Sequence, residues 1–206
     1  MTRFAIINPK GGVGKSTLST HVAGYLAVQG YEVMLGDADV QQSARLWLSL
    51  RPPSATPISY WDVDPQEFSK PPKGADHYVL DTPAALAGKQ LKEVLKWADK
   101  VLVPLQASIF DIYATRSFLD ELAASRHAEN VGVGIVAMRV DERTLSSDQL
   151  SAFVKSLGLP KVGTLRDTQN YVHLAANGLT VFDVQTSRME QDREQWKSIG
   201  KWLERE

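Results

Sequence analysis

The chain has 206 residues, 43% of them hydrophobic and 23% charged, with a formal net charge of −1 and no cysteine. This is the composition of a globular domain with enough apolar mass for one substantial core. It excludes a disulfide framework and the thiolate ligands of an iron–sulfur cluster, and the charge gives no global reason to bind nucleic acid. No run approaches the roughly 20 consecutive apolar residues of a membrane span. Met1-Thr2-Arg3 leads straight into an apolar run, which predicts no signal peptide.

In chain order, apolar runs of strand length fall at 4–8, 32–37, 77–82, 100–105, 131–138 and 161–165. Helical periodicity fills the intervals, at 16–29, 41–50, 88–98, 110–126 and 147–157. Strands alternating with helices along a whole chain predict one α/β domain over residues 1–206. Its sheet is mostly parallel and twisted, with helices on both faces. Residues 51–76 carry Pro52, Pro53, Pro57, Pro65, Pro71 and Pro72, so this stretch reads as loop with one short strand at 58–61. His21, His77, His127 and His173 show no metal-ligand spacing and are expected to pack or face solvent.

The last helix, at 187–205, puts Met189, Trp196, Ile199, Trp202 and Leu203 on or near one face. A helix lying on a membrane carries an excess of basic residues. Here Arg188, Arg193, Lys197, Lys201 and Arg205 are balanced by Glu190, Asp192, Glu194, Glu204 and Glu206. Docking against the body of the protein is expected, and membrane binding is not.

The chemistry is concentrated at Lys10-Gly11-Gly12-Val13-Gly14-Lys15-Ser16-Thr17, directly after the apolar run Phe4-Ala5-Ile6-Ile7. A strand entering a glycine-rich loop and then a helix wraps backbone N–H groups around phosphate. The glycines permit close approach of the main chain, the helix N-terminus adds favourable dipole charge, and Lys15 reaches the terminal phosphates. The Ser16 hydroxyl stands where Mg²⁺ is ligated. Pro9 occupies the position where the general motif has its first glycine, and Lys10 adds a second cation. Asp37 and Asp39 close the second expected strand, and Asp81 closes the third. Ligands of open parallel sheets sit at the carboxyl ends of strands, so these groups can converge on one crevice. Asp37 and Asp39 should differ in role, and Asp37 reads either as a metal-shell carboxylate or as a helix cap.

The two-lysine loop resembles the deviant Walker A motif of the ParA/MinD family of ATPases. Asp37-Ala38-Asp39-Val40-Gln41 is similar to that family's Asp-x-Asp-Pro-Gln, with Val40 in place of proline. Tyr78 to Pro83, Val101 to Leu105, and Tyr171 to Val181 resemble its later segments. The resemblance implies a P-loop NTPase fold, ATP with Mg²⁺ as cofactors, and contacts to nucleotide from Lys10 through Thr17. It implies that Asp39 orients the attacking water, that Asp81 holds Mg²⁺ through a water with Asp37 in support, and that Lys10 crosses a dimer interface. Lys10, Lys15 and Asp39 are then the catalytic set. Relatives often place an asparagine after the sixth strand to read adenine, whereas Ala137-Met138-Arg139 stands here and makes Arg139 the candidate base contact.

At the level of function, the resemblance implies a partition ATPase. It would dimerise on ATP, bind nucleoid DNA non-specifically, answer to a ParB-like adaptor, and live in the cytoplasm without a membrane partner. A positioning ATPase for a protein cargo, a MinD-like membrane regulator and a dethiobiotin-synthetase-like ligase are the rivals. Lys10 and the Asp37-x-Asp39 strand point away from the ligase. No helix-turn-helix extension precedes the first strand, so operator binding is not expected.

Overall fold

The computed structural model describes all residues except 65–67, 85, 142, 143 and 206, so Pro65 and Glu206 lie outside the described residues. Among the described residues seven strands form one sheet: β1 (Thr2–Ile6), β2 (Val33–Asp37), β3 (Ser59–Trp61), β4 (His77–Asp81), β5 (Lys100–Gln106), β6 (Gly132–Val140) and β7 (Lys161–Arg166). Their order is β3-β2-β4-β1-β5-β6-β7, and every pairing is parallel. This is the parallel α/β sheet covered on both faces that the alternating pattern predicts, and the P-loop NTPase fold that the resemblance implies. The short strand expected at 58–61 is β3, placed at the sheet edge, where flanking prolines do least harm to the ladder.

Period-two side-chain alternation builds two cores from one set of strands. Phe4, Ile6, Leu35, Val79, Leu102 and Val136 face one layer. That layer holds α1 (Lys15–Val28), α2 (Ser43–Ser49), α6 (Gln169–Ala175) and α7 (Glu190–Leu203). Ala5, Ile7, Leu80, Val101, Val103 and Ile135 face the other, with α3 (Gly88–Trp97), α4 (Ile109–Ala124) and α5 (Leu145–Ser156). Helix α6 lacks the length for a readable period and was not expected. Its N-terminus is fixed by the Thr168 hydroxyl, which accepts the Asn170 N–H at 3.3 Å.

Helix α7 docks on the body as expected. Trp196 and Ile199 are fully buried, and Leu203 and Met189 nearly so. The Trp196 indole stacks on the ring of His21 at 5.5 Å and donates to the Tyr171 hydroxyl at 3.2 Å. Burial pushes His21 down to about 4, so it packs as a neutral ring. Lys100 donates from its ammonium to the carbonyls of Trp202 (3.1 Å) and Leu203 (2.9 Å), which closes the helix C-terminus. Trp196→Ala is therefore expected to destabilise the fold by about 3–5 kcal/mol, read as a lower urea midpoint at unchanged slope. A loss under about 1 kcal/mol would mean that α7 is only loosely attached.

Candidate nucleotide-binding site

Chain geometry at the end of β1 makes the loop. Gly14 sits at φ 97° immediately before α1, a conformation that L side chains resist. A Cβ there would also lie 2.8 Å from the Met138 Cε, so the tip of that side chain would have to shift. The loop is braced from two sides. Asn8, fully buried, donates from Nδ2 to the Pro104 carbonyl (2.7 Å) and the Thr115 hydroxyl (3.2 Å), and its Oδ1 accepts the Lys10 N–H (2.9 Å). Gln106 donates from Nε2 to the Gly12 carbonyl at 3.0 Å.

Sheet order brings the acidic residues to the same place. The carboxyl ends of β2, β4 and β1 are adjacent, with Asp37 opposite Asp81 and Asp81 opposite Ile6 in register. Asp81 is buried, and Ser19 donates to its Oδ1 at 3.0 Å, while Oδ2 has no partner among the described residues. Burial and the neighbouring Asp37 push its carboxyl up to about 7, against the pull of the Ser16 and Ser19 hydroxyls and of Lys15. A buried carboxylate with one orphan oxygen beside a hydroxyl is a donor set that fits a hydrated divalent cation.

Asp37, expected either in the metal shell or as a cap, is held as a cap. Its Oδ2 accepts the N–H groups of Ala44 (2.8 Å) and Arg45 (3.1 Å) in the first turn of α2. Its Oδ1 accepts the N–H of Asp39 at 3.0 Å. These backbone amides have to be satisfied, and Asp37 satisfies them. Burial raises its carboxyl above the usual range, opposed by those same amides. Asp39 lies beyond the strand end, where its Oδ1 accepts the Gln41 N–H at 2.9 Å.

A cavity of about 420 Å³ opens over the loop, lined by Gly11, Gly12, Gly14, Lys15, Ser16 and Thr17, by Asp39, Gln41, Ser43 and Trp47 of the facing segment, and by Arg139. Lys15 is only 7% exposed and donates to the Lys10 carbonyl at 2.9 Å. Burial lowers its ammonium from the ordinary lysine range, opposed by Asp81 and Asp39. A second cavity of about 480 Å³ adjoins the first through the shared Gly14, Thr17, Arg139 and Ala175, and continues along Met138, Arg166, Asp167, Thr168 and Gln169. The two cavities together run from the glycine loop to the ends of β6 and β7. Arg139 reaches the junction because β6 bulges after Ala137 and Arg139 itself adopts φ 51°. A non-glycine residue with positive φ is uncommon, and Arg139 shares it with Gln42 among the described residues.

Neither Lys10 nor Val13 lines these cavities. Val13 is buried, and the Lys10 ammonium is paired instead with the carboxylate of Asp111 in the first turn of α4. Sequence reasoning also missed Asn8, Gln106, Asp111 and a clamp between α7 and the end of β7. In that clamp the buried Asp192 of α7 accepts from Arg166 (2.6 Å) and Asn170 (2.6 Å). Asp111 gives no distinguishing signal in the sequence, since an acidic residue in a helix's first turn is the ordinary partner of the dipole.

Comparison with known proteins agrees with this geometry. A family profile described as the CobQ/CobB/MinD/ParA nucleotide binding domain matches residues 4–181. The chain is 26% identical over 188 residues to the maintenance of carboxysome distribution protein A of Halothiobacillus neapolitanus, covering 88% of this chain and 87% of that protein. It is 28% identical to the chromosome-partitioning ATPase Soj of Thermus thermophilus, over 75% of this chain and 76% of the other. In fold it is similar to the septum site-determining protein MinD of Pyrococcus horikoshii, solved with Mg-ADP, at TM-score 0.78 and 13% identity over 99% and 96% of the two chains. The chain belongs to the CobQ/CobB/MinD/ParA family of nucleotide-binding domains.

Proposed function

We propose that this protein is a ParA-type positioning ATPase. ATP closes two copies face to face, an adaptor protein stimulates hydrolysis to ADP and phosphate, and the copies then part. The observation that carries this reading is the division of labour between the loop lysines: Lys15 inside the cavity, Lys10 outside it. A lysine turned away from the cavity of its own loop is placed to serve the phosphates of a second copy. Delivered in trans, such a cation acts as an arginine finger does, an effect of roughly 10³–10⁵ in rate elsewhere.

In this reading the amides of Gly11 to Thr17 and the ammonium of Lys15 hold the phosphates. Ser16 and Asp81 hold Mg²⁺, which supplies further neutralisation of phosphate charge when bound. Asp37 supports them indirectly by fixing the turn that carries Asp39. Asp39, at the cavity wall, orients the attacking water and takes its proton. Arg139 covers the junction between phosphate and base.

The cargo is a plasmid or chromosomal locus, with a ParB-like adaptor and non-specific nucleoid DNA as the track, in the cytoplasm. DNA contact is assembled across two copies, because one copy has little free positive charge on its last helix. Lys197 is paired with Glu194, and Arg188 is bonded to Asn170. Binding should therefore require ATP and weaken steeply with salt. A second reading, a protein cargo, is favoured by the likeness to the carboxysome distribution protein. Membrane attachment through α7 is disfavoured, since its apolar face is spent on the core. No helix among the described residues is long and apolar enough to cross a membrane.

Mixing two inactive variants tests the scheme. Lys10→Ala should bind ATP near normally yet stay monomeric with ATP and Mg²⁺ by light scattering. Mixed with Asp39→Ala, one site of each heterodimer has an intact Asp39 and receives Lys10 from the other copy, and adaptor-stimulated hydrolysis should reappear there. A Lys10→Ala protein that dimerises and turns over like wild type removes the sandwich mechanism.

A further inference from the structure

We infer that Arg51 is a positioning residue: paired with Asp183 in a buried tie, it fixes α2, and through α2 it aims Asp39 over the glycine loop. The inference rests on the water-orienting role proposed for Asp39 and adds the contact that holds that carboxylate in place.

Helix α2 has seven residues, too few to be stable by itself, so contacts at its ends must hold it. At its start Asp37 caps the amides of Ala44 and Arg45, and the Gln42 N–H donates to the Asp39 carbonyl at 2.9 Å. The Asp39 turn and the helix are therefore one piece. At its end stands Arg51. The guanidinium donates to the Asp183 carboxylate as a fork, Nη2 to Oδ1 at 2.8 Å and Nη1 to Oδ2 at 3.1 Å. It donates also to the carbonyls of Gly178 (3.0 Å) and Thr56 (2.9 Å). The two side chains are 5% and 3% exposed. Asp183 Oδ2 accepts in addition the N–H and the hydroxyl of Thr180, both at 2.7 Å, so neither partner is free to swing.

The tie reaches the cavity through Trp47. The Arg51 guanidinium lies over the Trp47 ring, 5.2 Å from its centre, and the indole donates from Nε1 to the Leu179 carbonyl at 3.3 Å. Trp47 lines the cavity over the loop together with Asp39, Gln41 and Ser43. The segment on the other side of the tie continues α6, since the Leu179 N–H donates to the Leu174 carbonyl at 3.0 Å. Gly178 sits at φ 64°, and a Cβ on it would run into the main chain of Arg51, so glycine lets this segment close on α2. The pair thus sets the spacing between two walls of the site. One carries Asp39, and the other is lined by Tyr171, Val172 and Ala175 of α6.

Phosphate binding has its own supports, because the glycine loop is braced by Asn8 and Gln106 rather than by α2. Loosening α2 should therefore lower the rate and spare affinity. Lysine at position 51 keeps the charge but loses the planar fork and the stacking on Trp47. Where a water must be held in line, a displacement of about 1 Å costs on the order of 10²-fold in rate.

Single-turnover phosphate release from ATP with Mg²⁺, protein in excess of nucleotide, reads the rate, and calorimetry reads ATP affinity. Arg51→Lys should release phosphate about ten- to a hundredfold more slowly than wild type, with ATP affinity within twofold. The same substitution in an Asp39→Ala background should change the residual rate by less than twofold, because no carboxylate is left to aim. A structural defect would slow both backgrounds alike. If Arg51→Lys is unfolded by circular dichroism, Asp183→Asn takes its place. Unfolding of both overturns the inference, since the pair would then hold the whole fold rather than one wall of the site. Wild-type release by the folded variant, a loss of affinity that matches the loss of rate, or a further fall beyond twofold in the Asp39→Ala background overturns it as well. Wild-type release by Asp39→Ala alone sinks the water-orienting reading instead, so the two failures are distinguishable.

Discussion

Lys15→Ala is expected to weaken ATP binding by a hundredfold or more, to the point where a calorimetric titration at micromolar protein shows no saturable heat. Lys15 is the loop cation that lines the cavity over the glycine loop, and it is already partly desolvated there. A hydrogen bond to a charged group contributes about 1.5–3 kcal/mol, and one ammonium can reach more than one phosphate oxygen. A loss of about 3–4 kcal/mol is a factor of roughly 10²–10³ in affinity. The glycine loop and helix N-terminus remain but form a weak anion site by themselves. The fold should survive, since the loop is also held by Asn8 and Gln106. Retention of wild-type affinity would show that phosphate is not bound at this loop.

Asp39→Ala should do the opposite. ATP binding and dimerisation persist, hydrolysis with adaptor falls by about 10²–10⁴, and dimers accumulate. The separation of effects follows from position. Asp39 stands on the cavity wall facing the loop, and its removal takes no cation from the phosphates. The turn that carries it is preserved, because the amides at 39, 44 and 45 are all satisfied by Asp37. Phosphate release in a single-turnover assay measures the effect, and size-exclusion chromatography with ATP shows the trapped dimer. Normal turnover by this variant would return the water-orienting role to another group. The same reasoning makes Asp37 the more dangerous residue to change for stability, since its loss would orphan three backbone amides at once.

The loop, the strand–helix alternation and the carboxylates at strand ends were legible in the sequence because each is a local signal. Glycine spacing encodes backbone angles. Apolar runs encode buried parallel strands. A polar residue after such a run encodes a strand end. Those signals were enough to expect Lys15, Ser16, Asp39 and Asp81 at the strand ends of one crevice; the first three line one cavity, and Asp81 lies buried below it, bonded to Ser19.

What only the tertiary structure decided depends on pairs far apart in the chain. Asp37 could be ligand or cap until α2 folded back and presented two amides to it. Helix α7 could have lain on a lipid surface until His21 and Tyr171 met Trp196. Arg139 could have faced any direction until the bulge in β6 turned it to the junction of the two cavities. The partner of Lys10 lies 101 residues away on another helix. Nothing local marks Asp111 as that partner, because its position in a helix's first turn already has a sufficient electrostatic reason. Sequence records what each residue can do. Which group it does it with is set by the order of strands in the sheet and the faces on which the helices cross.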